Sequence, residues 1–130
     1  SRAVPQSRWV GSLMALGNRY DLEIKQGATL SLTATWKDSA GTAVNLTGYT
    51  ARLQVRATYD SSATILSLTS AAGITLGGAA GTIAITASAT TTAALTAPFS
   101  GVYDLELVSG GGEVTRLLEG TATVSPEVSR

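Results

Sequence analysis

The 130-residue chain contains no cysteine and no histidine. Without them there is no disulfide framework, thiolate zinc site, Ser-His-Asp triad or Cys-His dyad, and any metal would have to be a hard cation held by oxygens. Net charge is also missing, because nine Lys and Arg balance nine Asp and Glu. Phosphate recognition normally shows as an excess of clustered cationic side chains, so nucleic acid is not an expected partner. No apolar run approaches the ~18–20 residues that cross a bilayer, and the N-terminus lacks the charged-then-apolar order of a secretory signal. A soluble chain with no membrane partner is the expectation. What fills the sequence is small and β-branched: 20 Ala, 19 Thr, 14 Gly and 14 Ser. The length suits one compact unit with a single core.

From residue 20 onward the governing pattern has period two, which sends alternate side chains to opposite faces of a strand. Tyr20, Leu22 and Ile24 alternate with Asp21, Glu23 and Lys25; Leu30, Leu32, Ala34 and Trp36 alternate with Thr29, Ser31, Thr33 and Thr35. Asp38-Ser39-Ala40-Gly41 then reads as a turn. Ala51, Leu53, Val55 and Ala57 alternate with Arg52, Gln54 and Arg56, whose long side chains face water. Further strands are expected at 65–68, 74–76, 83–85 and 102–107, with one or two more over 114–124. Gly77-Gly78-Ala79-Ala80-Gly81 reads as a hairpin connection, and the Ala- and Thr-rich stretch 88–95 as one helical turn before Pro98. About seven to nine short strands, with turn signals roughly every 8–12 residues, predict an all-β fold, an antiparallel β-sandwich over residues 20–126. An up-and-down barrel is the competing architecture. Residues 127–130 are left as a short C-terminal tail.

Residues 1–19 do not share the alternation. They hold Trp9, Val10, Leu13, Met14 and Leu16 beside three Arg, broken by Gly11 and Gly17. Such an N-terminal extended arm is either disordered or a docking element, since an exposed cluster of large apolar side chains is adhesive unless a partner covers it. These five residues are therefore the candidate partner-docking set.

Other chemistry is thinly represented. The glycine-rich 77–81 stretch lacks the following helix and the Lys of a phosphate loop. The strings Tyr20-Asp21-Leu22-Glu23-Ile24 and Tyr103-Asp104-Leu105-Glu106-Leu107 each place two carboxylates on one strand face, but isolated pairs on solvated faces make neither a calcium loop nor a glycosidase cleft. No catalytic residue, cofactor site or metal site is expected, and the chain reads as a non-enzyme. Trp36 falls on the apolar side of its strand and Tyr49 covers one end of the core. Tyr59 is the aromatic expected to be exposed, and it is the possible contact for a glycan. Asn45-Leu46-Thr47 fits the glycosylation sequon by coincidence in a chain without a signal.

The segment Asn45-Leu46-Thr47-Gly48-Tyr49-Thr50-Ala51-Arg52-Leu53-Gln54-Val55-Arg56, preceded by Trp36-Lys37-Asp38 and followed by Gly73-Ile74-Thr75-Leu76, resembles the N-terminal domain of the baseplate upper proteins of tailed bacteriophages and related tail-fibre adaptor modules. In that pattern Leu46 anchors the core, Thr47-Gly48 turns the chain and Tyr49 caps the next strand. The resemblance covers residues 20–126. It implies an immunoglobulin-like β-sandwich and a structural virion protein, assembled in the host cytoplasm, that attaches to other phage virion proteins of the head, neck or tail, in multiple copies within a symmetric assembly. Baseplate or fibre attachment is the leading expectation. Unlike the long baseplate proteins, these 130 residues include no coiled coil or receptor-binding domain after the sandwich, which keeps capsid decoration as an alternative, beside a glycan-binding module for host-surface attachment.

Overall fold

The computed structural model describes residues 19–128, so Trp9, Val10, Leu13, Met14 and Leu16 lie outside the described residues. Within that span the chain forms β1 (Leu22–Lys25), β2 (Leu30–Thr35), β3 (Thr50–Arg56), β4 (Leu66–Thr69), β5 (Ile74–Leu76), β6 (Thr82–Ala87), a short helix α1 (Ala89–Ala93), β7 (Phe99–Val108) and β8 (Val114–Ser125). A single 3-10 turn, Gly78–Ala80, lies in the β5–β6 connection. The strands make two sheets, a five-stranded one in the order β1-β8-β7-β3-β4 and a three-stranded one in the order β2-β6-β5. The architecture is the all-β sandwich that the alternation predicts. One pair departs from the antiparallel rule: β1 runs parallel to β8, with Leu22 beside Ala122 and Lys25 beside Ser125. Parallel neighbours need a long crossover, and here the whole rest of the domain supplies it.

Alternation translates directly into burial. Leu22 and Ile24 of β1, Leu32 and Ala34 of β2, Ala51, Leu53 and Val55 of β3, and Ile83, Ile85 and Ala87 of β6 all face the space between the sheets. Tyr103, Leu105 and Leu107 of β7 complete the layer. Each fully buried Leu or Ile contributes roughly 1.5–3 kcal/mol of transfer free energy. In β8 the period is interrupted. Leu117 and Leu118 are both buried although adjacent in sequence, because the β7–β8 register slips between Leu105 and Glu106. Leu105 pairs with Leu118 and Glu106 with Arg116, so Leu117 is the extra residue of a β-bulge. The bulge lets this segment run as one strand of twelve residues, the first of the two alternatives expected for 114–124.

The connections follow turn chemistry. Asp38 accepts hydrogen bonds at its carboxylate from the Ala40 and Thr42 N–H groups at 2.9 and 3.0 Å. Gly81 ends the 3-10 turn with φ of 71°. A Cβ there would meet the Trp36 and Val44 carbonyl oxygens at 2.9 and 3.0 Å, so only glycine fits the close approach. Leu46 is buried, and Trp36 and Tyr49 meet edge to face with centroids 6.0 Å apart at the end of the core.

The helix predicted as one turn is real and it closes the β1–β2 corner. Ser88 caps it, accepting from the Thr91 N–H at 3.1 Å. Thr92 is fully buried; its Oγ1 accepts from the Gly27 N–H at 3.0 Å and donates to the Ala28 carbonyl at 2.8 Å. Replacing Thr92 by Val keeps the shape and removes both bonds, which leaves a part-buried donor and acceptor without partners. A loss of about 1–3 kcal/mol in urea-unfolding stability is expected for Thr92→Val, whereas an unchanged midpoint would mean that water replaces the hydroxyl at no cost.

Candidate functional site

The outward face of the five-stranded sheet carries a set of paired charged and polar side chains, and the strand registers set their rows. β3 and β7 pair Arg52 with Glu106, Gln54 with Asp104 and Arg56 with Val102. β7 and β8 continue the rows, with Glu106 beside Arg116 and Asp104 beside Glu119. The bulge at Leu117 brings Arg116 into this position. Arg52 binds the Glu106 carboxylate through Nη2 at 2.7 Å and Nε at 2.8 Å. Arg116 reaches Asp104 at 3.5 Å through Nε and Glu119 at 3.3 Å through Nη1. Arg56 donates to the Ser61 carbonyl and to Gln54 Oε1, both at 2.9 Å. Between these side chains lies a half-open depression lined by Gln54, Arg56, Tyr59, Val102, Asp104 and Arg116.

The electrostatics are those of a face that satisfies itself. Burial, and then the neighbouring Glu106, push the Asp104 carboxyl above the ordinary carboxylate range. Asp21 moves the other way, chiefly because the Thr121 N–H bonds to it at 3.2 Å, with Arg19 adding a contact at 3.3 Å. Exposed ion pairs of this kind contribute about 0–1 kcal/mol each. Each of the three guanidinium groups on this face bonds to a carboxylate, a carbonyl or an amide of the same domain. Among the described residues, no group of three or more acidic side chains is placed to hold a metal ion.

The residues singled out from the sequence are scattered. Tyr59 is 68% exposed, and it stands at the depression with Trp36 and Tyr49 packed elsewhere against the core. Asn45 Oδ1 accepts from both the Thr47 N–H at 3.0 Å and the Thr47 hydroxyl at 2.7 Å, so the sequon residues close on themselves as a turn. Gly77 to Gly81 form the expected connection. The two similar Tyr-Asp-Leu-Glu strings have different fates. Tyr103 is buried and its hydroxyl donates to the Tyr20 carbonyl at 2.5 Å, while Tyr20 is only partly buried at the sheet margin. Burial raises the pKa of both phenols. The Arg52-Glu106-Arg116 row was not visible beforehand, because it depends on the registers of three strands distant in sequence.

No protein-family model matches this sequence, and no curated protein matches it. Among solved structures, the fold is similar to that of the N-terminal domain of phage TP901-1 ORF48. The likeness is one of fold. It spans 91% of this chain and 98% of that domain, with a TM-score of 0.57 and 9% sequence identity. The sandwich implied by the resemblance at residues 45–56 is therefore the architecture observed.

Asp104 supplies a pH prediction. Its folded-state pKa is raised, so the folded protein holds this proton more tightly than the unfolded chain, and stability falls as pH rises through the window just above the ordinary value of 3.8. Asp104→Asn is expected to raise the thermal midpoint at pH 7 and to remove that part of the pH dependence. A lower midpoint at pH 7 would show that the Arg116 contact outweighs the burial and the Glu106 repulsion.

Proposed function

We propose that this chain is a non-enzymatic structural component of a tailed-phage virion, a β-sandwich adaptor that attaches to neighbouring tail subunits at the baseplate or fibre base. The observation that carries the reading is the match in fold to a phage domain, which spans 91% of this chain and 98% of that one. The LTGYT segment supports it, since Leu46, Gly48 and Tyr49 occupy the anchor, turn and cap positions that the resemblance assigns to them. The surface is consistent with a scaffold, since its charged face is internally paired. A glycan-binding role has Tyr59 in its favour, but the guanidinium groups that would hold a sugar already have partners within the domain.

Within this reading, Trp9, Val10, Leu13, Met14 and Leu16 form the docking arm. The arm joins the sandwich at Arg19, whose backbone pairs with Glu119 of β8. Ordering about twenty residues costs roughly 1–2 kcal/mol each in backbone entropy, so the anchors must be well buried against a partner.

Two measurements test the proposal. Mass spectrometry of purified particles of the phage that carries the gene should find the chain in several copies per particle; its absence would overturn the virion assignment. Deleting residues 1–18 should leave the thermal midpoint of the sandwich in place and sharply reduce incorporation, with Trp9→Ala giving a smaller loss in the same direction. Undiminished incorporation of the truncated chain would remove the arm from the mechanism while leaving the virion assignment standing.

A further inference from the structure

The sandwich ends in four edge strands, β1 and β4 in the larger sheet and β2 and β5 in the smaller. Edge strands present unpaired N–H and C=O groups, and folded proteins blunt them with shortness, charge, proline or bulges. β1 and β4 have four residues and β5 three, and β1 also carries Glu23 and Lys25. β2 has none of these protections. Its six residues, Leu-Ser-Leu-Thr-Ala-Thr, are uncharged, and its register with β6 runs from Leu30 to Thr35 without a slip.

Hydrogen-bond parity shows which groups are left over. The Trp36 N–H donates to the Gly81 carbonyl at 2.9 Å, and in an antiparallel ladder that bond assigns Leu30, Leu32 and Ala34 to β6. Ser31, Thr33 and Thr35 then direct their N–H and C=O groups to the opposite side. The hairpin after β2 does not cover them, because Val44 donates to the Trp36 carbonyl at 2.9 Å on the β6 side. Among the described residues no strand pairs with this edge.

We propose that the β2 edge pairs with the β2 edge of a second copy of this chain, antiparallel, across a two-fold axis at Thr33. The parity fits. Thr33 faces Thr33 of the other copy and Ser31 faces Thr35, all in hydrogen-bonded positions, which gives about six new ladder bonds. The side chains fit as well. Outward positions bring Thr against Thr and Ser against Thr, pairs that stabilise strands, and inward positions bring Leu32 against Ala34, large against small. No like charges meet within the paired strands. The two three-stranded sheets become one continuous sheet, which removes an unprotected edge from each copy. A single strand pair falls short of the roughly 1,000 Å² of a stable interface, so the contact is weak alone and is strengthened where many copies are held at high local concentration. The inference does not depend on the virion reading, because it concerns the isolated protein.

Sedimentation velocity on the full 130-residue chain, up to about 1 mM to reach a contact this small, tests it. The wild type should show a concentration-dependent monomer–dimer equilibrium. Thr33→Glu and Thr33→Arg each place like charges opposite one another across the axis and should weaken dimerisation by at least about tenfold. Mixing the two variants one to one should restore a heterodimer, which also shows that both are folded. A wild type that stays monomeric at the highest concentration overturns the proposal, as does a dimer that survives Thr33→Glu. A dimer insensitive to Thr33 but lost on deleting residues 1–18 assigns self-association to the arm and equally overturns the β2 pairing.

Discussion

The pairing of β7 with β3 on one side and β8 on the other is the interaction on which the rest of the sandwich depends. β7 is a ten-residue strand in the middle of the five-stranded sheet, and it pairs with seven residues of β3 and, along its full length, with β8. Its inward side supplies Tyr103, Leu105 and Leu107 to the core, and its outward side supplies Asp104 and Glu106 to the charged rows. The edge strand β1 is secured from the same place, through the Tyr103 hydroxyl on the Tyr20 carbonyl. Two glycines make these approaches possible. A Cβ at Gly101 would come within 2.3 Å of the Arg56 carbonyl oxygen, and one at Gly120 within 2.5 Å of the Tyr20 carbonyl oxygen. Small residues here are thus a packing requirement as well as a compositional habit.

Much of this was legible in the chain itself, because a period of two survives wherever one face of a strand is buried. Leu22 and Ile24, Leu53 and Val55, and Ile83 and Ile85 are buried in the alternation that their spacing predicts. What alternation cannot carry is pairing between distant strands. The parallel neighbour of β1 is about a hundred residues away in sequence, and nothing local to Leu22 or Ala122 marks it. The bulge at Leu117 is visible only as two adjacent leucines, a signal equally consistent with a strand end. Thr92 was hidden for a different reason. In a run of Ala and Thr, one buried hydroxyl that pins the Gly27–Ala28 turn looks like its exposed neighbours.

The candidate site divides along the same line. Tyr59 was readable as exposed because it stands in a polar loop outside any alternation. The charged rows were not, since Arg52, Glu106 and Arg116 become neighbours only when three registers are known. The two Tyr-Asp-Leu-Glu strings make the point sharply. One lies in the central strand and the other begins at the sheet margin, so the same residues yield a buried phenol in one case and a half-covered one in the other. Environment, set by position in the sheet, decides what an identical string does.

Those placements bear on how such a domain makes contacts. A sheet face whose charges pair internally has little to gain from a charged ligand, because each new contact displaces an existing one and recovers little of the desolvation cost. A sheet edge is different. Among the described residues no strand pairs with the outward N–H and C=O groups of β2, and an extended backbone satisfies such groups without breaking anything already formed. The flank that carries β2 also carries β1, joined to it through the Gly27 turn, and the first eighteen residues attach beside β1 at Arg19. The uncharged edge and the covalent origin of the apolar N-terminal segment therefore lie on one side of the sandwich, opposite β4 and β5. Contacts made through the proposed β2 pairing and through the N-terminal segment would then fall on the same flank of the sandwich, and that shared position would give the subunit a direction.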